Sequence, residues 1–467
     1  MHFGVESANY MDSTLSSKVF SRSGVAPRHH LVLVSLPIFF SLHPYIGLPI
    51  LPSDIQPLAI SFCVLAIFVR AFSHSLALPK LILPALIMLV LALVSFFVEL
   101  ILVQEKPLLH MVRHLVGYVT PVVILTYIYM FQDILFSRET TKLIDFCLFF
   151  AFIGFLLQML GLNSIIQIFI NRAVFDGLVG SARGLTGFNP EQSRVSEQLL
   201  LFGILYSSLG SLTRGRIALL LIGGALSFAG QYLASVFQVL LGVVVASLCY
   251  FAYKPKLFLR ITFYIGSAAF FFTVILPLVL PNLLELMSRW GLPGRFIGLA
   301  NLYLDNGVLG LLTDKNAAIK LSGLVAAAAT ILYKPFNFQL SAEASDVFVQ
   351  GIEQYAIFVT SNLYGGQTYF SVERVYSALG VWVVHFGVFG LFLSFWLLIK
   401  GFTMLGNAKA KKLSELTCFF ILLQLLFLKI PLANPTLWFA FGVLTLGSSY
   451  KRKRATFKCS SNLGKNL

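Results

Sequence analysis

The sequence predicts an all-α, polytopic integral membrane protein with about twelve transmembrane helices. Three observations predict it. Of the 467 residues, 58% are hydrophobic. Only 11% are charged, against roughly 25% in a soluble domain. Apolar runs of spanning length recur along the whole chain, and its length suits about a dozen spans of ~20 residues with loops.

The runs fall near residues 31–51, 56–73, 81–103, 114–132, 143–162, 196–212, 216–231, 233–253, 261–280, 376–399, 415–430 and 434–450. Residues 1–30 are polar and lack the charged-then-apolar order of a cleaved signal. The first span is therefore expected to serve as the targeting signal. The distribution of Lys and Arg orients the set. With both termini in the cytoplasm, 22 of the 34 basic residues fall on the cytoplasmic side, and every cytoplasmic loop carries at least two. The division is then a cytoplasmic segment 1–30, nine helices within 31–280 with an outer loop at 163–195, a large outer loop 281–375, three helices within 376–450, and a basic tail 451–467. The net charge of +15 raises the question of nucleic acid. Its placement answers that the tail KRKRATFK anchors topology at anionic headgroups, and no nucleic-acid partner is expected.

Two outer loops break the positive-inside trend. The loop 163–195 holds Arg172, Arg183 and Arg194, and the loop 281–375 holds Arg289, Arg295, Lys315, Lys320, Lys334 and Arg374. The larger loop is itself apolar. Residues 316–333 and 346–364 have one apolar face at helical spacing, with Phe348, Ile352, Tyr355 and Val359 aligned in the second. Both read as helices lying at the membrane surface, as does Asn163 to Asp176.

The five cysteines form no CxxC and no Cys/His cluster, so neither a disulfide framework nor a zinc site is supported. No P-loop, HExxH, GxSxG or dinucleotide fingerprint is present. No metal and no cofactor are expected. Chemistry must come from scattered polar residues near the outer face.

The densest such stretch is Ser181 to Gln198, SARGLTGFNPEQSRVSEQ. Gly184 and Gly187 allow a tight turn, and Asn189-Pro190 favours another. Pro190 and Glu191 suit the first turn of a helix. Glu191, Arg194 and Glu197 follow at intervals of three, near one helix face. The stretch reads as a turn-to-helix junction at the mouth of a span, with arginines presented toward it. An arginine fork binds phosphate and stays charged, so the junction suits an anionic headgroup. The plainer reading is that Arg183 and Arg194 reach lipid phosphates, while Glu191 pairs with Arg194. Elsewhere, Glu373-Arg374 precedes a span as an ion pair or headgroup anchor. His385 and Glu99 lie inside spans, where ionisable groups are costly and often functional.

These pieces resemble a known family. RGLTGFNPEQS is similar to the arginine-plus-glycine signature of bacterial O-antigen and capsule polymerases of the Wzy type. Residues 216–245, the span YSALGVWVVHFGVFGLFLSFWLLI with Gly387 and Gly390, and the ending PLANPTLWFAFGVL resemble the same family, as does the large penultimate outer loop. The resemblance covers roughly residues 115–450. It implies a GT-C-like arrangement in a bacterial cytoplasmic (inner) membrane. The implied reaction transfers a growing glycan from undecaprenyl pyrophosphate to the next lipid-linked oligosaccharide unit, and family members often work with a polysaccharide chain-length regulator. On this resemblance Arg183 and Arg194 grip pyrophosphate, with Arg289, Arg295 and Lys320 as partners. Glu191, Glu197, Asp314 and Glu373 are candidates for a base, with Arg374 and His385 as further substrate-binding candidates. Lys320 stands after Asp314 where the family leads one to expect arginine, and lysine lacks the bidentate fork. An O-antigen ligase shares the implied fold but carries a histidine late in its large loop. Residues 281–375 contain none, and Tyr376 stands near that place. A lipid-linked-oligosaccharide flippase is the non-enzymatic alternative. Its usual short loops differ from the 95-residue outer loop.

Overall fold

A computed structural model describes residues 28–47, 57–72, 78–102, 108–170, 185–189, 192–226, 241–250, 326–340, 377–406, 412–428 and 430–463, with isolated positions between 277 and 305. Among the described residues there are helices and no strands. In chain order, leaving aside the single turn Gln132–Leu135, the helices are α1 (Arg28–Leu42), α2 (Leu58–Ala71), α3 (Leu83–Leu102), α4 (Leu108–Met130), α5 (Arg138–Met159), α6 (Asn163–Phe169), α7 (Gln192–Leu209) and α8 (Arg214–Leu226). They continue with α9 (Leu241–Tyr250), α10 (326–333), α11 (Ala378–Met404), α12 (Leu413–Leu428) and α13 (Pro435–Leu463). Four of them, α3, α4, α5 and α11, the last counted across its break at Gly387, are by length and composition apolar enough to cross a membrane. The chain is a helical membrane protein.

Several boundaries differ from the apolar runs for local reasons. Helix α1 stops at Leu42, because His43 precedes Pro44 and a pre-proline residue disfavours helix. Helix α13 runs on to Leu463, so most of the basic tail continues the last helix. Helix α6 ends at Phe169, with Ile166 buried and Ile165, Ile168 and Phe169 exposed.

The core forms around α13. Residues 434–447 are buried on every side, the pattern of a helix surrounded by others. It packs on α4 and α7, and also on α12, α11 and α1. The Trp438 and Trp382 rings stack at 6.4 Å, and the Trp438 indole N–H donates to the Leu432 carbonyl at 2.8 Å. The periphery is apolar as well: Val90, Val94, Phe97 and Ile101 of α3 and Leu65 and Phe68 of α2 face outward. Hydrocarbon, not water, suits that surface.

Helix α11 is broken. Ser377 caps its start by accepting the Gly380 N–H at 2.8 Å, and Gly387 interrupts it at φ 55, ψ −129. An L side chain is strained there. The two arms meet closely enough that a side chain on Gly390 would overlap the Trp382 carbonyl, eight residues away. A straight helix would place those residues ~12 Å apart, so the chain bends sharply.

The bend exposes backbone groups that hydrocarbon cannot satisfy. Residues 334–340 satisfy them. The Val388 N–H donates to the Pro335 carbonyl at 2.8 Å, the Asn337 amide donates to the Val384 carbonyl at 2.7 Å, and the Gln339 N–H donates to the His385 carbonyl at 3.3 Å. The same strap is tied to α3. The Ser95 hydroxyl contacts the Phe338 carbonyl at 3.0 Å, and the Leu340 N–H donates to the Glu99 carboxylate. Ala326, Ala329, Thr330 and Leu340 are buried, while Leu332 and Phe336 face outward. The sequence suggested a helix resting on the membrane surface over residues 316–333, of which 316–325 lie outside the described residues. Residues 326–340 are instead built into the bundle, because small and polar side chains line their inner face. The companion segment 346–364 lies outside the described residues.

One end of the bundle gathers charged pairs from separate helices. Arg70 bonds Asp133 at 3.0 Å, and Arg216 forks onto Asp145 at 2.7 and 2.8 Å. Tyr206 also donates to Asp145 at 2.9 Å, Lys451 reaches the Ser208 carbonyl at 2.6 Å, and Arg452 reaches the Met404 carbonyl. The opposite end carries the turn 43–47, helix α6, the turn 185–189 and the start of α7, joined by contacts such as the Gly47 N–H on the Phe169 carbonyl at 3.3 Å.

Candidate functional site

The turn Leu185–Asn189, from the centre of the singled-out stretch, is locked onto α5 by one side chain. The Gln158 carbonyl oxygen accepts the backbone N–H groups of Thr186 and Gly187 at 2.8 and 2.9 Å, and also faces the Thr186 hydroxyl at 3.4 Å. Backbone N–H groups only donate, so this fixes the orientation of the Gln158 amide. Gly187 takes φ +54, and an added Cβ would lie 3.0 Å from the Phe155 ring. The Asn189 N–H closes the turn on the Thr186 carbonyl at 3.0 Å.

A chain of directed bonds then joins the turn to α7 and α1. The His43 Nε2 lies 3.0 Å from the Cys147 carbonyl. A carbonyl only accepts, so Nε2 carries the hydrogen and a neutral Nδ1 is bare. The Gln198 Nε2 lies 3.2 Å from that Nδ1 and 2.6 Å from the Leu42 carbonyl, so it is the amide nitrogen. The Gln198 oxygen therefore accepts from the Asn189 amide nitrogen at 2.8 Å. Each orientation follows from the backbone carbonyls at the start of the chain.

Beside this turn lies an ion pair. The Arg194 Nη1 is 3.0 Å from the Glu197 carboxylate, with side chains 12% and 3% exposed. A cation in the first turn of a helix opposes the positive end of its dipole. Glu197, one turn on, offsets this. The sequence paired Arg194 with Glu191 or left it to phosphate; in the structure Arg194 bonds the Glu197 carboxylate, and Glu191 lies outside the described residues.

His385 belongs to a second cluster, at the break in α11. The Tyr118 hydroxyl and the His385 Nδ1 are 2.8 Å apart, and the His114 ring stands edge-on to His385 at 4.9 Å. Tyr118 and His385 are both buried. Glu99 is buried too, and serves the strap.

Of the site residues expected from sequence, Arg194, Glu197 and His385 are described. Arg183, Glu191, Arg289, Arg295, Asp314, Lys320, Glu373 and Arg374 lie outside the described residues. Gln158, Gln198, His43, Asn337 and Tyr118 were not singled out for chemistry. The available signal was an amide or imidazole inside an apolar helix, as in FLLQML and SEQLLL. Among the described residues no group of three or more His, Cys, Asp or Glu is arranged to hold a metal ion.

An open groove of about 290 Å³ runs along α5, lined by Phe149, Phe152, Ile153, Phe155, Leu156 and Met159. Phe155 is shared between this apolar groove and the Gly187 turn.

Comparison of the chain with protein-family models, curated proteins and solved structures finds no match.

Proposed function

We propose that the protein is a polymerase that joins undecaprenyl-pyrophosphate-linked oligosaccharide units into O-antigen or capsular polysaccharide. It acts at the outer face of a bacterial cytoplasmic membrane. On this reading the chain has about twelve spans in a GT-C-like arrangement, with the charged-pair end of the bundle in the cytoplasm. Its partners are the lipid-linked oligosaccharide, the bilayer and a chain-length regulator.

The observation that carries the reading is the largely buried Arg194–Glu197 pair beside the locked 185–189 turn. A chain with so few charges retains a cation there, at a helix end that disfavours it. The turn that precedes this pair in sequence touches an apolar groove through Phe155. A lipid pyrophosphate bearing a glycan offers the complementary chemistry: an apolar tail, a dianionic linker and hydroxyls. Departure of the lipid pyrophosphate develops negative charge, which preorganised arginine donors stabilise most where water is excluded. Arg183 is the proposed second donor. Glu191 or Glu197 is the proposed acceptor of the attacking hydroxyl's proton.

The test is reconstitution. Purified protein in liposomes is given lipid-linked oligosaccharide extracted from membranes of the source organism. The proposal expects a ladder of lipid-linked oligomers and released undecaprenyl pyrophosphate. Transfer to lipid A-core without oligomers would identify a ligase instead, and movement across the bilayer without new bonds would identify a flippase.

A further inference from the structure

The bond chain that fixes Gln198 has a consequence at its far end. Because the Asn189 nitrogen is spent on Gln198, the Asn189 carbonyl oxygen must point the other way. That oxygen is buried and has no hydrogen-bond partner among the described residues, and Asn189 as a whole is 3% exposed. A buried acceptor left without a donor is a costly arrangement. Several donors of the turn and of Gln198 are committed elsewhere: the Thr186 and Gly187 N–H groups go to Gln158, the Asn189 N–H goes to the Thr186 carbonyl, and the Gln198 amide hydrogens go to Leu42 and His43. The next residue in sequence is Pro190, which has no N–H. Asn189 lies three residues before the first residue of the 18-residue helix α7, whose first two turns hold the Arg194–Glu197 pair.

We propose that the Asn189 carbonyl oxygen is a substrate-recognition acceptor, which takes a hydrogen bond from a neutral sugar donor, a hydroxyl or an amide N–H, of the bound lipid-linked glycan. This rests on the lipid-linked-glycan reading above and assigns the sugar-contacting atom within it. A carbonyl accepts and does not donate, so it selects O–H or N–H over an ether, a carboxylate or a phosphate oxygen. The division of labour is then a charged pair for the pyrophosphate and a neutral acceptor for the sugar. The acceptor is held rigid by bonds reaching back through Gln198 and His43 to Cys147, so little ordering remains at binding.

Binding measured by native mass spectrometry on the full chain in detergent tests this with two probes. One is bare undecaprenyl pyrophosphate; the other is the lipid-linked oligosaccharide extracted from the source organism. The wild type is expected to bind the glycan-bearing lipid more tightly than the bare one. Asn189→Ala is expected to weaken the glycan-bearing lipid about tenfold and leave the bare lipid unchanged. Gln198→Leu, which frees the Asn189 amide to rotate, is expected to erode the same margin more weakly. If Asn189→Ala keeps the full margin, or if the wild type shows none, the acceptor role is overturned while the lipid-pyrophosphate reading stands. If the wild type binds neither probe, that reading falls and the acceptor role falls with it.

Discussion

Substituting Gly387 by alanine strikes at the element that lets α11 bend. The backbone at φ 55, ψ −129 strains any L residue, at about 1–3 kcal/mol. The added Cβ would also lie 2.6 Å from the Pro335 carbonyl carbon and closer to its oxygen, where real contacts begin near 3.0 Å. The strap must therefore recede by several tenths of an ångström or more. That breaks the Val388–Pro335 bond and strands two backbone groups away from water, for about 1–3 kcal/mol more. The total of about 2–6 kcal/mol is a large share of the 5–15 kcal/mol that typically holds a fold. Gly210→Ala is the matched control, since Gly210 also takes a positive φ of 70° but has nothing within 4 Å of an added Cβ. Thermal unfolding in detergent, followed by tryptophan fluorescence, should show Gly387→Ala far below Gly210→Ala. Equal melting temperatures for the two variants would refute the strap-and-break account.

Other outcomes follow from the same geometry. Glu197→Ala leaves Arg194 largely buried beside one fewer anion and should cost about 3–5 kcal/mol, read as a large loss of thermal stability. The double variant Arg194→Met/Glu197→Met should recover most of that stability yet make no glycan polymer; full polymer from it would show that the pair has no part in the reaction. Gln158→Leu should speed amide exchange at Thr186 and Gly187 by at least about tenfold, read by hydrogen–deuterium exchange, and unchanged exchange would mean that Gln158 does not hold the turn. Asp145→Ala, at a pair with side chains 20% and 41% exposed, should cost only about 1 kcal/mol or less after solvent screening. A collapse of the fold in that variant would contradict the reading of the charged end as peripheral.

The long elements were legible because hydrocarbon imposes long apolar runs: α3 and α12 lie within two residues of those runs, while α4 and α5 begin six and five residues earlier. The burial of α13 on all sides was not legible, since an all-apolar helix looks alike whether it faces lipid or protein. The strap was hidden for a different reason. KPFNFQL alternates apolar and polar residues from Phe336 to Leu340 as a strand would, yet no strand forms, and its role depends on a carbonyl released 47 residues later, at Val384. Gly387 and Gly390 were visible as a spaced pair within a span, but only the backbone shows that the pair breaks it. In the candidate site, the charges of Arg194 and Glu197 stood out against an apolar background. Asn189 read only as part of a turn, and Gln158, Gln198 and His43 drew no attention. An amide becomes informative when its partners are known, and those partners come from three helices distant in sequence.

The most direct test of the central claim is deletion of the gene in the source organism, with surface glycans resolved on a denaturing gel. The account predicts that the ladder collapses to lipid A-core carrying a single repeat unit. Plasmid copies bearing Arg183→Ala or Arg194→Ala, expressed at the wild-type level, should then fail to restore it. A deletion strain in which no repeat unit reaches the core would contradict the account, because the lost step would be ligation or flipping and not polymerisation.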